Sequence, residues 1–365
     1  MGGGAVGLAV AWASARRGLR TTVVDPQPGR GASWAAAGML APVTEVHYGE
    51  ERLLRLNLAS HAAYPDFIEQ LERDAGLSAG YRRCGTLLIA RDNDDNAALA
   101  EVFRFQQSLG LEVRRLRSGE VRDLEPGLAP SVRGGILVEG DHQVDNRALL
   151  DALIGACRAR GVSFVPAEAE AISVSAGKVE GLSIAGGDAL TADRVVVCAG
   201  ARSGDLAGIQ LPVRPVKGQL LHLRSRDGMP LLTRNIRGLD VYLVPRSDGR
   251  VVVGATVEEQ GFDAAVTAGA VHDLLRYAYE LAPGITEHEL VEIAVGHRPG
   301  TPDNAPLIGR TSVEGLYAAT GHHRNGILLL AVTSRAMGEI LETGEVPEVI
   351  AGFEPTRFER EPQSL

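Results

Sequence analysis

The chain has 365 residues, 44 of them Gly and 18 Pro, with 37 basic against 46 acidic side chains and a formal net charge of −9. Gly at about one residue in eight exceeds the usual ~7%, but no G-X-Y period accompanies it, which excludes collagen and the Pro-rich disordered class. The acidic balance lacks the basic face that nucleic acid or an anionic membrane demands, and the 45% hydrophobic residues suffice for a large core in one domain or two interleaved ones.

The three cysteines, Cys84, Cys157 and Cys198, are odd in number and widely spaced. That suggests neither a disulfide framework nor a zinc site, and fits a reducing cytoplasm. The longest apolar runs, such as Ile327 to Val332, fall far short of the ~18 residues of a membrane span. No charged n-region followed by an apolar core opens the chain, so no signal peptide is expected.

In chain order, Gly2-Gly3-Gly4-Ala5-Val6-Gly7 leads into an Ala-rich helical stretch to Arg17, with Gly18 as a C-cap and a strand over 21–24 ending at Asp25. This is most of a βαβ unit, although such a fingerprint should follow a buried strand and only Met1 precedes it; a missing first strand is the expectation. Residues 53–71 have helical spacing, 85–90 reads as a strand, and 96–109 and 147–160 read as helices. Strands follow over 163–165, 171–175, 179–184 and 194–198, then over 218–223, 241–245 and 251–254, the last two joined by the turn Arg246-Ser247-Asp248-Gly249. The last third offers a helix over 269–281, strands over 290–295 and 315–319, and a long helix over 326–342. Strands alternating with helices at both ends around a hairpin-rich middle imply a parallel-sheet nucleotide domain interrupted by a mostly antiparallel one, with the chain crossing several times.

Gly2, Gly4 and Gly7 form G-x-G-x-x-G, with Asp25 at the end of the second strand. The glycines permit a tight turn, approach of a pyrophosphate to the helix N-terminus and close helix–strand packing, while the carboxylate receives ribose hydroxyls. This alone separates neither NAD from FAD nor a site from a plain glycine turn. Three further stretches bear on the choice. Residues 31–40 are a run of small side chains, 194–203 is a strand entering a glycine turn, and Gly321-His322-His323-Arg324-Asn325-Gly326-Ile327 joins a strand to a helix. Small residues let a flat ring lie against backbone, and a helix N-terminus aimed at its pyrimidine edge would stabilise the charge of a reduced flavin.

These stretches, with Pro215-Val216-Lys217-Gly218-Gln219, Tyr242-Leu243-Val244-Pro245-Arg246 and Arg298-Pro299-Gly300-Thr301-Pro302-Asp303, resemble the FAD-dependent amine oxidases of the D-amino-acid oxidase superfamily, and among them the bacterial glycine oxidases, over nearly the whole chain. The resemblance implies a mixed α/β fold in which a glutathione-reductase-like, Rossmann-type FAD domain (1–80, 142–210 and 296–350) interleaves with an antiparallel-sheet substrate domain (81–141 and 211–295). It also implies oxidation of glycine by O2 to glyoxylate, ammonia and hydrogen peroxide, an imine product able to feed the thiazole half of thiamine, a homotetramer, and noncovalent FAD, since no Cys lies near Gly296 to Arg298 where sarcosine oxidases attach theirs.

Carried over by position, the resemblance assigns Gly2, Gly4, Ala5, Val6 and Gly7 to the pyrophosphate, Asp25 to ribose, and Ser33, Ala36, Ala37, Gly38 and Met39 to the flavin. Ala169 would meet adenine through its backbone, and Gly200 with His322, His323, Arg324, Asn325, Gly326, Ile327 and Leu328 would close the site. Arg298 matches the carboxylate-binding arginine, Tyr242 the active-site tyrosine and Arg324 a second active-site arginine. A bidentate guanidinium suits an amino-acid carboxylate, and a phenol adds one hydrogen bond without charge. Bland readings stand beside these: Arg298 as a surface ion pair, although its place just before Pro-Gly in a segment leaving a strand favours the functional reading, Tyr242 as a core aromatic, Arg324 as a loop buttress, Met39 as packing. The adjacent His322 and His323 diverge and have no ligand-spaced carboxylate or Cys, so no metal is expected. Asp240 and Val257 depart from the family's side chains near substrate. A D-amino-acid dehydrogenase reducing a quinone, the flavin domain of a tRNA-modifying enzyme, and a flavin binder without turnover are the alternatives.

Overall fold

The computed structural model describes residues 1–187, 189–206 and 210–358. Its first helix, Ala5–Arg16, is buried along most of its length, as an Ala-rich helix without a polar face must be. It packs against the helices Asn146–Ala159 and Leu330–Thr343, and Trp12, Leu8 and Ala9 join Tyr64, Phe67 and Leu71 of the helix Glu51–Ala75 in one core. Asp145 caps the Asn146–Ala159 helix by accepting from the Arg147 and Ala148 amides, which satisfies two otherwise orphaned donors.

Beside these helices lie two short sheets. In one, Thr22–Val24 pairs parallel with Ser163–Val165. In the other, Val195–Val197 pairs parallel with Leu316–Thr320, which runs antiparallel to Leu307–Arg310. Met1 and Gly2 lie between the two sheets: the Met1 ammonium donates to Val196 O at 2.8 Å, Cys198 N donates to Met1 O at 2.8 Å, and Gly2 N donates to Val24 O at 2.9 Å. A three-stranded antiparallel sheet (Ala169–Ser175, Lys178–Ile184, Leu190–Thr191) flanks them.

The other half is an eight-stranded sheet, in spatial order Glu289–Gly300, Arg214–Arg224, Arg250–Gly254, Tyr242–Pro245, Asn235–Arg237, Thr86–Ala90, Gly134–Val138 and Arg114–Arg117. All its ladders are antiparallel except that between Asn235–Arg237 and Thr86–Ala90. Its outer face buries Leu221, Leu223, Leu243, Val251 and Val253 under the helix Ala268–Leu281. Its inner face places Leu220, Val244, Val252 and Ala294 against Ala35 and Ala37 of the small-residue run, so the two halves meet along that run. Among the described residues no helix is long and apolar enough to cross a membrane.

Three differences from the sequence expectations affect the site. The strand expected over 290–295 continues as Glu289–Gly300, so Arg298 lies inside a ladder opposite Val216 rather than in a segment leaving it; the paired Arg214–Arg224 strand, longer than the expected 218–223, holds it there. The helix expected from 326 begins at Leu330, after a 3₁₀ turn over His323–Asn325 in which His323 takes a left-handed φ of 46°. The strands Asn235–Arg237 and Leu307–Arg310 had no expectation, being short and carrying little alternation.

Candidate functional site

A cavity of about 1580 Å³ runs from Asp25 and Ala169, past Gly2, Gly4, Ala5 and Val6, along Ser33 and residues 35–39, to Tyr242, Arg298, His323 and Arg324. Gly200, His322, Gly326 and Ile327 also line it, whereas Gly7, Asn325 and Leu328 lie behind the wall.

The glycine fingerprint divides its work in a way the contacts make explicit. A Cβ on Gly2 would stand 2.3 Å from Cys198 O, and one on Gly7 would stand 1.9 Å from Gly2 O, so these two glycines set main-chain packing. A Cβ on Gly4 would meet only Ser33 Oγ, at 3.1 Å, because that glycine faces the cavity. The helix behind it carries no side-chain cap, and Ser33 Oγ accepts from Ala5 N at 2.9 Å. Asp25 accepts from Gly3 N and Gln27 N, both at 2.7 Å, which fixes its carboxylate while leaving lone pairs for hydroxyl donors. A helix N-terminus whose own N-cap residue has no side chain, a cradle that a side chain would fill and a fixed acid just beyond the Thr22–Val24 strand suit a dinucleotide.

The middle of the cavity is walled by main chain. A Cβ on Gly38 would stand 2.0 Å from Val144 O. The buried Arg246 holds this stretch by donating to Ala37 O at 2.8 Å and to Gln143; burial pulls its pKa down to about 10, against the raising effect of Asp145. Met39 is half-buried beside Tyr242 and Val244.

At the far end, the eight-stranded sheet turns three strand glycines toward the space. Cβ atoms on Gly218 and Gly254 would stand 2.5 Å from Arg298 Nη1 and from Tyr242 Oη respectively, and one on Gly296 would stand 2.9 Å from Ala35 Cβ. These glycines leave room for Arg298 and Tyr242 to lie flat over the backbone. Arg298 Nη1 donates to Thr256 O at 3.1 Å and Lys217 O at 3.4 Å. Among the described residues no carboxylate pairs with it, and it lines the cavity beside Tyr242. The Tyr242 phenol is pushed up to about 12 by burial, with Arg298 and Arg237 opposing and Glu45 reinforcing the shift, and stays protonated.

Arg324 lines the cavity, but its guanidinium is engaged by Glu50 and by Glu45 O, the geometry of a buttress. His322 is buried against Thr333 Oγ1 at 3.0 Å, and burial drops its pKa to about 3. Burial and then Arg324 and Arg298 drop that of His323 to about 4. Both imidazoles are neutral at pH 7. Asp240, exposed at the cavity edge, pairs with Arg91 at 2.7 Å, and Val257 is 74% exposed.

Sequence reasoning passed over Glu45, Arg237, Gly218, Gly254 and Gly296. The glycines carried a signal, since Gly inside an otherwise regular strand marks a close backbone approach. Glu45 and Arg237 carried none, lying in a turn and in a three-residue strand.

The sequence matches the profile of a family described as FAD dependent oxidoreductase over residues 1–340. It is 34% identical to a glycine oxidase of Geobacillus kaustophilus across 98% of this chain and 96% of that protein. The crystal structure of the glycine oxidase from that organism superimposes with a TM-score of 0.90, covering 98% of this chain and 97% of that one. The chain is also 32% identical, over 99% of its length, to a bifunctional ThiO/ThiG protein of Trichormus variabilis, spanning 55% of that relative. It therefore covers about half the length of the bifunctional relatives it matches. A structure of an iminodiacetate oxidase from Chelativorans sp. BNC1 has a TM-score of 0.88 at 28% identity, with 97% of each chain covered.

Proposed function

The chain belongs to the FAD-dependent oxidoreductase family, and on that footing we propose that it oxidises glycine, and with it sarcosine or small D-amino acids, to the imine. Hydrolysis of the glycine imine gives glyoxylate and ammonia, and O2 leaves as hydrogen peroxide: glycine, O2 and water in, glyoxylate, ammonia and H2O2 out. The observation that carries this reading is Arg298, a guanidinium without a carboxylate partner among the described residues, facing the end of the cavity opposite the dinucleotide cradle.

Bound FAD supplies the acceptor for the two electrons and the hydrogen leaving Cα. The protein's part is placement. Arg298 takes the substrate carboxylate through its remaining donors, and the protonated Tyr242 adds one neutral hydrogen bond. Holding the carboxylate at a fixed height over the small-residue wall would present Cα–H to a ring held along that wall, which converts an encounter into a unimolecular step. His323, neutral at pH 7, contributes no charge beside the amine. Residues 1–80, 142–210 and 296–350 form the cofactor part in this reading, and 81–141 with 211–295 the substrate part. The similarity to bifunctional ThiO/ThiG proteins supports use of the imine in building the thiazole of thiamine.

Anaerobic mixing of the holoenzyme with glycine should bleach the flavin absorbance, and admission of air should restore it with release of peroxide. Persistence of the oxidised spectrum with glycine, sarcosine and D-alanine overturns the reading. Bleaching reversed by a quinone analogue and not by air makes the protein a dehydrogenase.

A further inference from the structure

The cavity wall around Tyr242 carries more charge than one substrate carboxylate calls for. Arg237 stands directly opposite Tyr242 in the antiparallel ladder, so both side chains share a face, and its guanidinium pairs with Glu45. That pair is largely out of water, with side-chain exposures of 23% and 12%. Glu45, Arg237, Arg298 and Arg324 all line the cavity. Burial alone would raise the Glu45 pKa, but Arg237 and then Arg324 hold it below the ordinary carboxylate range, so it is ionised at neutral pH. His47, which faces the same group, is kept neutral mainly by burial and then by Arg324. Glu45 thus neutralises Arg237 and Glu50 neutralises Arg324, so that of the three arginines Arg237, Arg298 and Arg324 only Arg298 lacks a carboxylate partner among the described residues.

We infer that Glu45 is a specificity-determining residue: by neutralising Arg237 it restricts the site to amino acids bearing a single carboxylate and turns away amino dicarboxylates of the iminodiacetate type. This rests on the reading that the Arg298 end receives the substrate. A second carboxylate would have to lie against Glu45, and like charges in a half-buried site cost several-fold to a hundredfold in affinity. A role in stability alone accounts less well for the pair, since a partly buried ion pair adds little over a neutral isostere and this one forms cavity wall rather than core.

The test uses holoenzyme as wild type, Glu45→Gln, Arg237→Gln and the double variant. Each is titrated with methoxyacetate, which has one carboxylate, and oxydiacetate, which has two; neither offers an amine to oxidise. Perturbation of the flavin absorbance gives the dissociation constants. The ratio of the two constants should move about tenfold toward oxydiacetate in Glu45→Gln, about tenfold away from it in Arg237→Gln, and return to within about threefold of wild type in the double variant. A ratio unmoved in Glu45→Gln, or one that moves the same way in both single variants, overturns the inference. Should Glu45→Gln shed its flavin, Arg237→Gln decides alone, an unmoved ratio refuting. If both ligands bind with the expected ratios but no amino acid is turned over, the proposed reaction fails and the charge filter stands. If neither ligand perturbs the flavin of the wild type, both fail.

Discussion

Gly218→Ala tests the site at the contact that seats Arg298. Gly218 faces Gly296 across the ladder, and a Cβ there would stand 2.5, 2.7 and 2.8 Å from Nη1, Nη2 and Cζ of Arg298. Ordinary contact begins near 3.4 Å, so the guanidinium must retreat by about 0.9 Å. The backbone accepts the change, because Gly218 is not among the positive-φ glycines, and restricting the unfolded chain offsets part of the cost by roughly 0.4–1 kcal/mol. The fold therefore tolerates the methyl while the carboxylate anchor moves. A displacement near 1 Å in a positioning group costs on the order of 10²-fold, or about 2.7 kcal/mol of transition-state stabilisation. A peroxide-coupled assay with glycine should show kcat/KM lower by about a hundredfold, most of it in KM, with FAD retained and Tm within a few degrees. A KM within twofold of wild type in a stable, yellow variant refutes the claim that Arg298 is the anchor and that Gly218 makes room for it.

Arg298→Ala should raise the glycine KM by two to three orders of magnitude, about 3–4 kcal/mol for removing one partner of a desolvated charge pair, with flavin still bound; an unchanged KM rejects the assignment. Gly7→Ala and Gly4→Ala should part company: the first drives a methyl to 1.9 Å from Gly2 O and the second only to 3.1 Å from Ser33 Oγ. Thermal denaturation of the FAD-stripped proteins should show a loss only for Gly7→Ala, while the FAD dissociation constant rises for Gly4→Ala; equal stability losses refute the division of labour. For His322, the folded pKa of about 3 lies below the ordinary 6.5, so the folded state binds fewer protons. Its contribution is present above pH 6.5 and is lost as pH falls toward 3, about 2 kcal/mol of it by pH 5. His322→Gln should flatten the fall in Tm between pH 7 and 5 accordingly, and an unchanged slope counts against it.

Local order made the nucleotide-binding half legible. The helix, its Gly18 terminus, the Thr22–Val24 strand and Asp25 follow one another within 25 residues, and each element's period or cap is written in adjacent positions. The same holds for the helices Asn146–Ala159 and Ala268–Leu281, whose apolar spacing and ends came within a residue or two. What escaped depends on partners far along the chain. Arg298 read as leaving a strand because Pro299 and Gly300 follow it, yet ladder contacts with Arg214 and Pro215 carry the strand through both. The Glu45–Arg237 pair joins residues 192 positions apart, and neither neighbourhood hints at the other. Residues 326–329 looked helical by composition, but the turn at His323–Asn325, set by packing against Thr333 and Glu50, delays the helix to Leu330.

The high glycine content follows from the way the two halves meet. The wall between the dinucleotide cradle and Arg298 is largely main chain, and main chain can approach a flat ligand only where side chains are absent or small. Wall glycines and surface glycines therefore obey different constraints. At Gly18, Gly76 and Gly110 an added Cβ would meet nothing within 4 Å, so their cost of substitution is conformational and local. At Gly38, Gly218 and Gly254 an added Cβ meets Val144 O at 2.0 Å, Arg298 at 2.5 Å and Tyr242 at 2.5 Å, so the cost falls on the site. For the last two the obstructed atom is the end of a movable side chain, and substitution trades catalytic geometry for little stability; at Gly38 the obstacle is backbone, and the fold itself must yield. Ranking glycines by what their missing Cβ would touch thus separates residues that hold the chain's turns from residues that shape its chemistry, a distinction that composition alone conceals.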